Sequence, residues 1–292
     1  RFTGDLADAE SFYMRALEID PSRSEALTGL GIVYARQNRP DEAEASFHKA
    51  VDIHPGDAQT YNRLGVFYFE TGRFPEAVEQ YQYAIALEPN NMNAYTNLAA
   101  AYMLAGNFAS AAIAHQRTLE IEPTAIAYSN LGLMHYYNGD FDDAIASHAK
   151  AIELEPNDYL GRSNLGDSLW NAGRKEEAQR EFLKAETMAE KALEVNPNDP
   201  FTMMDLAWIH AMLDKHGEAR ELMDKALAMA PDDPYTYYYD GITLLRAGDI
   251  DGALEALQLA ADKGYSRLMM GTEPHLKELR SDARFSAIVN AG

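Results

Sequence analysis

Seven prolines recur along the chain at an almost constant interval, and this spacing constrains the fold more than any other feature. They are Pro21, Pro55, Pro89, Pro123, Pro156, Pro197 and Pro231, with intervals of 33 or 34 residues except for one of 41. A fixed period of this length is typical of a solenoid, in which each repeat buries its apolar face only against its neighbours. The chain is therefore predicted to be one array of repeats without a separate globular domain.

The residues from Ala58 to Pro89 predict a hairpin of two amphipathic helices, separated at Gly72. The apolar positions are Tyr61, Leu64, Gly65 and Tyr68 in the first helix and Ala77, Tyr81 and Ala84 in the second. Gly65 and Ala77 are expected where the helices cross, because larger side chains there would push the axes apart.

This pattern resembles the tetratricopeptide repeat family, in which Leu-Gly and Tyr of one helix are followed by Ala, an aromatic residue, Ala and Pro of the next. It recurs as Leu27, Leu30, Gly31, Tyr34, Ala43, Phe47, Ala50 and Pro55, as Tyr95, Leu98, Ala99, Tyr102, Ala111, His115, Thr118 and Pro123, and as Tyr128, Leu131, Gly132, His135, Ala144, His148, Ala151 and Pro156. The resemblance implies an all-α fold, a right-handed α-solenoid (superhelix) of about seven helical hairpins plus a half repeat and a C-terminal helical cap. The seven units are expected near residues 24–57, 58–91, 92–124, 125–158, 159–199, 200–233 and 234–264.

Both ends of the chain depart from the repeat. Residues 1–23 match only the second helix of a truncated repeat, so Phe12, Tyr13 and Leu17 are expected to lack cover, and the chain, which starts at Arg1, is expected to be part of a longer protein. Residues 265–292 are predicted to form a C-terminal capping segment over the last repeat. This segment resembles the closing segment of bacterial arrays that are attached to kinase, cyclase or transcription-regulator domains.

One repeat is seven residues longer than the others, between Pro156 and Pro197. Seven residues turn a helix by about two full turns, so the second helix of this repeat is predicted to lengthen by about 10 Å without changing its buried face. The added length is either a tolerated insertion or a helix end, near residues 187–191, that bends the array or meets a partner.

Composition excludes several classes of function. The net charge of −21 opposes nucleic acid and anionic membranes, and it favours a basic segment if a charged partner binds. No apolar run approaches the about 20 residues that span a bilayer. The absence of cysteine excludes disulfides and thiolate chemistry.

No catalytic, cofactor or metal motif is found, and the chain is predicted not to be an enzyme. The eight histidines include no HExxH pattern. His115 and His148 occupy the aromatic position of second helices, where a packed core histidine is expected more often than a ligand. The compartment does not follow from the residues, and a cytoplasmic one is the default expectation.

Asparagine precedes leucine at the same position of three successive first helices, at Asn97, Asn130 and Asn164. These residues are about 100° away from the core-facing leucines, so they are expected to face the groove of the solenoid as a short ladder. The preceding repeat has Arg63 at this position and Asn62, also a candidate for peptide binding, one residue earlier. The pattern is similar to the asparagine ladder in the tetratricopeptide domain of protein O-GlcNAc transferases, which implies bonding to a peptide backbone. The alternative is that each asparagine bonds to the neighbouring helix.

Aromatic residues at or near groove-facing positions add an apolar surface. Tyr136, Trp170, Trp208 and Tyr238 are the ones predicted to receive side chains of a bound peptide. The lysine set of the family's carboxylate clamps is missing, so binding of acidic chaperone tails is disfavoured.

The function that these features favour is a non-catalytic protein-protein interaction scaffold that binds an extended peptide or protein segment in the concave groove. One alternative is a self-assembly module that forms a homo-oligomer through the uncapped N-terminal helix. Another is a regulatory or substrate-recruiting region of a larger enzyme, a kinase, cyclase or glycosyltransferase, whose catalytic domain lies outside this chain.

Overall fold

The computed structural model describes residues 3–291, and every regular element in this range is a helix. The chain divides into two compact units, Arg1–Glu122 and Pro123–Gly292, which are called unit 1 and unit 2 below. Within each unit, consecutive helices pack as pairs, and each pair packs on the next. This arrangement confirms the predicted all-α solenoid of helical hairpins.

Unit 1 contains seven helices among its described residues. They are α1 (Thr3–Ile19), α2 (Ser24–Arg36), α3 (Pro40–Ile53), α4 (Ala58–Glu70), α5 (Phe74–Leu87), α6 (Met92–Leu104) and α7 (Phe108–Ile121). The pairs α2 and α3, α4 and α5, and α6 and α7 are hairpins, and α1 packs on α2.

Unit 2 continues the same pattern and ends in shorter elements. Its helices are α8 (Ala125–Asn138), α9 (Phe141–Leu154), α10 (Tyr159–Asn171), α11 (Lys175–Val195), α12 (Pro200–Met212), α13 (His216–Met229), α14 (Pro234–Arg246), α15 (Ile250–Asp262), α16 (Arg267–Thr272), a 3-10 helix (Pro274–Ser281) and α17 (Ala283–Asn290). The last three elements form the capping segment, described here for residues 265–291.

The helix boundaries follow from local chemistry. Several first helices begin after an Asp, Asn or Thr whose side chain accepts a hydrogen bond from the first turn, as Asp57 does from the backbone N–H of Gln59. Hairpin turns place Gly72 and Gly139 at φ 76° and 84°, in the left-handed region where glycine is free of the Cβ penalty. These signals act between residues that are close in sequence, so the hairpins could be predicted from the sequence.

Close crossings hold each hairpin together. A Cβ on Gly65 would lie 2.5 Å from the Tyr81 ring, and one on Gly166 would lie 2.7 Å from the Phe182 ring. Ala77 is fully buried at the same kind of crossing. The predicted reason for a small residue at Gly65 is therefore confirmed, because the aromatic ring of the second helix occupies the space that a side chain would need.

The histidines predicted to be core residues are buried. His148 packs against Gly132, and His115 occupies the same position in unit 1. Burial lowers the pKa of both imidazoles to about 4, so both rings are neutral near pH 7 and behave as packed aromatic side chains.

The long repeat of unit 2 is accommodated by one continuous helix. Helix α11 has 21 residues, against 13 or 14 in the other repeat helices of this unit. Ala178, Phe182, Ala185 and Ala189 are fully buried along it. The added turns therefore continue the same buried face, as predicted from the near-integral number of turns.

The two ends of the chain differ in cover. On α1, Phe12 is 65% exposed, as predicted, and Met14 is also exposed. Tyr13, which packs against Gly29 of α2, and Leu17 are half-buried, so the prediction that they lack cover is wrong. In the capping segment, by contrast, Leu276, Leu279, Phe285 and Ile288 are buried. Within residues 3–291, no helix combines the length and apolar character needed to cross a bilayer.

Candidate functional site

In unit 1 the asparagines at the groove positions bond to each other. Asn62 on α4 and Asn97 on α6 are half-buried, and Asn97 Nδ2 donates to Asn62 Oδ1 at 3.2 Å. This contact ties one repeat to the next. The donors of Asn62 Nδ2 and the acceptor of Asn97 Oδ1 have no further bond to the described residues, so the pair still offers both kinds of group to a ligand.

In unit 2 the corresponding asparagines have no such pairing. Asn130 on α8 and Asn164 on α10 are half-buried, and neither side-chain amide bonds to any residue between 3 and 291. Helices α8 and α10 are in contact as the first helices of adjacent repeats. Two amides with free donors and acceptors therefore lie on adjacent first helices, α8 and α10, of unit 2.

The next repeat of unit 2 carries a carboxylate at this position. Asp205 on α12 accepts a hydrogen bond from the Tyr159 hydroxyl at 3.0 Å. Burial raises the pKa of Asp205 to about 6, and the nearby Asp199 adds to the effect. The asparagine series thus ends at a group that is already bonded within the protein.

Three of the four predicted aromatic residues surround a cavity of about 220 Å³ in unit 2. Tyr136, Trp208 and Tyr238 line it and are 5%, 4% and 5% exposed, and Asn164 lines it as well. Further aromatic walls come from Tyr137, Tyr239 and Tyr265. Tyr235 is 57% exposed and lines the cavity, so it marks a side that reaches solvent.

The capping segment closes this cavity with Glu273. Its carboxylate accepts hydrogen bonds from the Tyr136 hydroxyl at 2.7 Å and the Tyr238 hydroxyl at 2.9 Å. It also accepts the backbone N–H of His275 at 3.2 Å. Burial and then the Glu273 charge raise the pKa of both tyrosines well above the usual value, so both hydroxyls remain donors.

A second carboxylate, which is half-buried, lies in the same cavity. Asp167 on α10 accepts the Trp208 Nε1–H at 3.1 Å and lies 3.1 Å from His275 Nε2. The Trp208 and His275 rings meet edge to face with centroids 4.8 Å apart. Burial raises the pKa of Asp167, against the lowering effect of the bond to His275.

Trp170 has different surroundings from the other predicted aromatic residues. It is half-buried, and its ring lies between Arg246, whose Cζ is 4.6 Å from the ring centroid, and Lys175, whose Nζ is 4.8 Å away. These are cation-π contacts within the protein. Trp170 is not among the residues that line the cavity.

Sequence reasoning missed the residues that hold the cavity together, namely Asp167, Glu273 and His275. Asp167 matches no motif of its repeat, Glu273 and His275 lie in the capping segment, and the bond from Tyr136 to Glu273 spans 137 residues of sequence. The signals that could have found the site are the tyrosine-rich run at 235–239 and the placement of the capping segment over the last repeat.

The arrangement is suited to binding. The cavity and the asparagine positions offer amides, aromatic faces and carboxylates held by short bonds, on a scaffold of paired helices. The class that this fold and these surfaces define is a helical-repeat scaffold.

Family profiles agree with the repeat pattern. Profiles described as tetratricopeptide repeat match residues 3–64, 37–82, 123–198 and 161–232, and one described as TPR repeat matches residues 67–106. No curated protein sequence matches the chain. Together the matched stretches cover most of the sequence, and the chain belongs to the tetratricopeptide repeat family.

Solved structures show the same fold. A tetratricopeptide repeat protein from Parabacteroides merdae has a TM-score of 0.66 at 18% identity and covers 87% of this chain and 98% of its own. Two structures of MamA are 32% and 25% identical, with TM-scores of 0.48 and 0.54. They cover 53% and 59% of this chain and 92% and 94% of their own. Proteins of this family usually act through protein-protein interaction.

Proposed function

We propose that the protein is a non-catalytic interaction scaffold that binds an extended segment of a partner protein along the first helices of its repeats. The proposal rests on one observation in unit 2. The side chains of Asn130 and Asn164 are half-buried, and their amides make no hydrogen bond within the described chain. A peptide backbone alternates N–H and C=O groups, which one asparagine amide can match with an acceptor and a donor.

The charge of the chain favours a particular kind of partner. With a net charge of −21, the surface attracts basic segments and repels acidic ones. Contacts from asparagine to backbone would give affinity without selecting side chains, so the partner's side chains would be selected by charge and by aromatic residues such as Tyr235.

The experiment uses peptides, because the partner is unidentified. Short random peptides displayed on phage are selected on the whole chain, and the affinity of the enriched sequences is measured by fluorescence anisotropy. The double variant Asn130→Ala and Asn164→Ala is compared with Asn157→Ala and Asn198→Ala, which changes two exposed turn residues of the same unit. We expect a loss of roughly tenfold or more for the first pair only, at about 1 kcal/mol per hydrogen bond.

Two outcomes count against the proposal. One is selection that yields no saturable peptide, and the other is equal affinity of the groove variant and the turn variant. Equal thermal unfolding midpoints of the two variants would show that folding does not account for any difference.

A second candidate function, self-assembly, is favoured by α1. Phe12, Met14 and Ile19 are exposed on this helix, and exposed apolar side chains at a solenoid end are a contact surface for another copy. Light scattering over a concentration series distinguishes this candidate, since a constant monomer mass would contradict it. The proposal of a larger enzyme that contains this chain stays a prediction.

A further inference from the structure

The cavity of unit 2 contains buried negative charge without a permanent counter-ion. Asp167 and Glu273 both line it, and none of the described residues that line it is a lysine or an arginine. Burial of a carboxylate is costly unless it is paired with a cation or well hydrogen-bonded. Here the pairing with a lysine or arginine is missing, and hydrogen bonds from neutral groups take its place.

The two histidines that line the cavity differ in whether they offset the charge of its carboxylates. His148 is 1% exposed, its Nδ1 has no hydrogen-bond partner, and burial keeps its ring neutral near pH 7 by lowering its pKa to about 4. His275 is already bonded to Asp167 at 3.1 Å. No described cationic side chain bonds to the Glu273 carboxylate, which accepts from neutral donors alone.

Most of the remaining walls of the cavity are aromatic, beside Leu133, Ile242 and Asn164. Tyr238 and Tyr265 stack with centroids 4.2 Å apart, and Tyr235 meets Tyr265 edge to face at 5.3 Å. Trp208 meets His275 edge to face. Aromatic faces attract cations, most strongly where water is excluded.

The hydrogen bonds of the carboxylates decide which cation fits. Glu273 accepts from the hydroxyls of Tyr136 and Tyr238 and from one backbone N–H, and Tyr137 hydrogen-bonds to it as well. Asp167 accepts from Trp208 and contacts His275. Few carboxylate lone pairs are left for an incoming N–H donor, and the Asn164 amide oxygen adds one further acceptor. A primary ammonium or a guanidinium would therefore replace only part of its hydration. A quaternary ammonium group has no N–H to satisfy and needs only charge and aromatic faces.

We infer that this cavity is a binding site for a quaternary ammonium group. The cationic head lies among the tyrosines and Trp208, near Asp167 and Glu273, and the rest of the ligand leaves past Tyr235. The volume of about 220 Å³ has room for such a head group. The group could belong to a free small molecule of the choline type or to a trimethylated lysine side chain, and these two sources share the same chemistry.

The first test needs only the unmodified protein. Choline is titrated by calorimetry in parallel with 3,3-dimethyl-1-butanol, its neutral isostere, and with ethanolamine, which keeps the charge but carries N–H donors. We expect saturable binding of choline that is at least about tenfold tighter than binding of either comparison compound. Equal binding of the isostere, or no saturable binding of choline, overturns the inference and leaves a cavity filled by water.

The second test locates the site. Tyr235→Leu changes an exposed wall of the cavity and is expected to weaken choline binding several-fold, while Tyr83→Leu, at an exposed tyrosine of unit 1, leaves it unchanged. Glu273→Gln is likewise expected to weaken choline binding several-fold, while Glu278→Gln, at an exposed glutamate of the same capping segment, leaves it unchanged. Equal affinity of Tyr235→Leu and Tyr83→Leu would place any bound choline elsewhere and overturn the assignment.

A third titration identifies the source of the group. N-acetyl-trimethyllysine amide is compared with choline on the unmodified protein, and the tighter ligand indicates whether the site takes a side chain or a small molecule. These measurements use no random peptide, so their failure is distinct from failure of the proposed peptide binding at Asn130 and Asn164.

Discussion

Asn97 of unit 1 and Asn130 and Asn164 of unit 2 occupy the same repeat position, and Asn62 lies one residue before it in its own repeat. The neighbours of these asparagines nevertheless differ. Asn62 and Asn97 bond to each other in unit 1, whereas Asn130 and Asn164 have unbonded amides in unit 2, and Asn164 also lines an aromatic cavity. The repeat consensus fixes the backbone position of such a residue. Whether its amide is available to a partner is decided by the side chains of the adjacent repeat and of the capping segment.

The largest difference between the units should appear when the capping contact is removed. Glu273→Ala leaves the hydroxyls of Tyr136 and Tyr238 without their acceptor, in a buried site. We expect unit 2 to lose about 2–6 kcal/mol of stability, at about 1–3 kcal/mol for each unsatisfied group. Hydrogen exchange followed by mass spectrometry should show faster exchange in α8 and α14.

Hydrogen exchange of unit 1 is the internal control for this prediction. Helices α2 to α6 of unit 1 should keep their exchange rates, and Glu278→Ala, at an exposed glutamate of the capping segment, should leave both units unchanged. Unchanged exchange of α8 in Glu273→Ala would show that the capping contact contributes little to unit 2.

A smaller effect is expected from pH at Asp205, the carboxylate that replaces asparagine in the third complete repeat of unit 2. The pKa of Asp205 in the folded chain, about 6, lies above its ordinary value of 3.8 because of burial. Between these values the folded chain holds a proton that the unfolded chain has released. Stability should therefore fall as pH rises from about 4 to about 6, by about 1–3 kcal/mol.

Asp205→Asn tests this and also restores the amide found in the preceding repeats. Its side chain can still accept from Tyr159, but it no longer titrates. Relative to the unmodified protein, the variant should gain stability at pH 7 and lose most of that gain at pH 4, as measured by urea unfolding at both pH values. Asp143→Asn, at an exposed aspartate of unit 2, is the matched control. A pH-independent difference would contradict the burial of a charge at Asp205.

The hairpins and the cavity differ in how far they could be predicted from the sequence. The hairpin signals act within about one helix, such as the N-cap of Asp57 and the glycine at Gly72, and the packing of Gly65 on Tyr81 spans only 16 residues. The lengthened α11 was predictable for the same reason, because the helical period alone decides which face the added residues continue.

The cavity depends on contacts that no local pattern encodes. Tyr136 and Trp208 were predicted to face a groove, and both are covered by a capping segment whose Glu273 and His275 lie far along the chain. The period predicts where a side chain points on its own helix. It does not predict which distant segment packs on that side chain, and three of the predicted aromatic residues became cavity walls for this reason.

The smallest expected effect concerns the bonded asparagines of unit 1 and the unbonded asparagines of unit 2. Asn97→Ala removes the bond to Asn62, whereas Asn130→Ala removes no bond within the described chain. Alanine is the better helix former by about 0.5 kcal/mol, and a hydrogen bond contributes about 1 kcal/mol. Asn130→Ala should therefore be neutral or slightly stabilising, and Asn97→Ala should be slightly destabilising.

A double-mutant cycle separates these two contributions. Combining Asn62→Ala with Asn97→Ala should give a coupling free energy of about 0.5–1 kcal/mol in urea unfolding, and combining Asn62→Ala with Asn130→Ala should give none. If Asn130→Ala destabilised the protein as much as Asn97→Ala, the Asn130 amide would have a partner inside the folded chain. In that case the asparagines of both units would serve mainly to join repeats, and the free amides on which peptide binding at unit 2 depends would not exist.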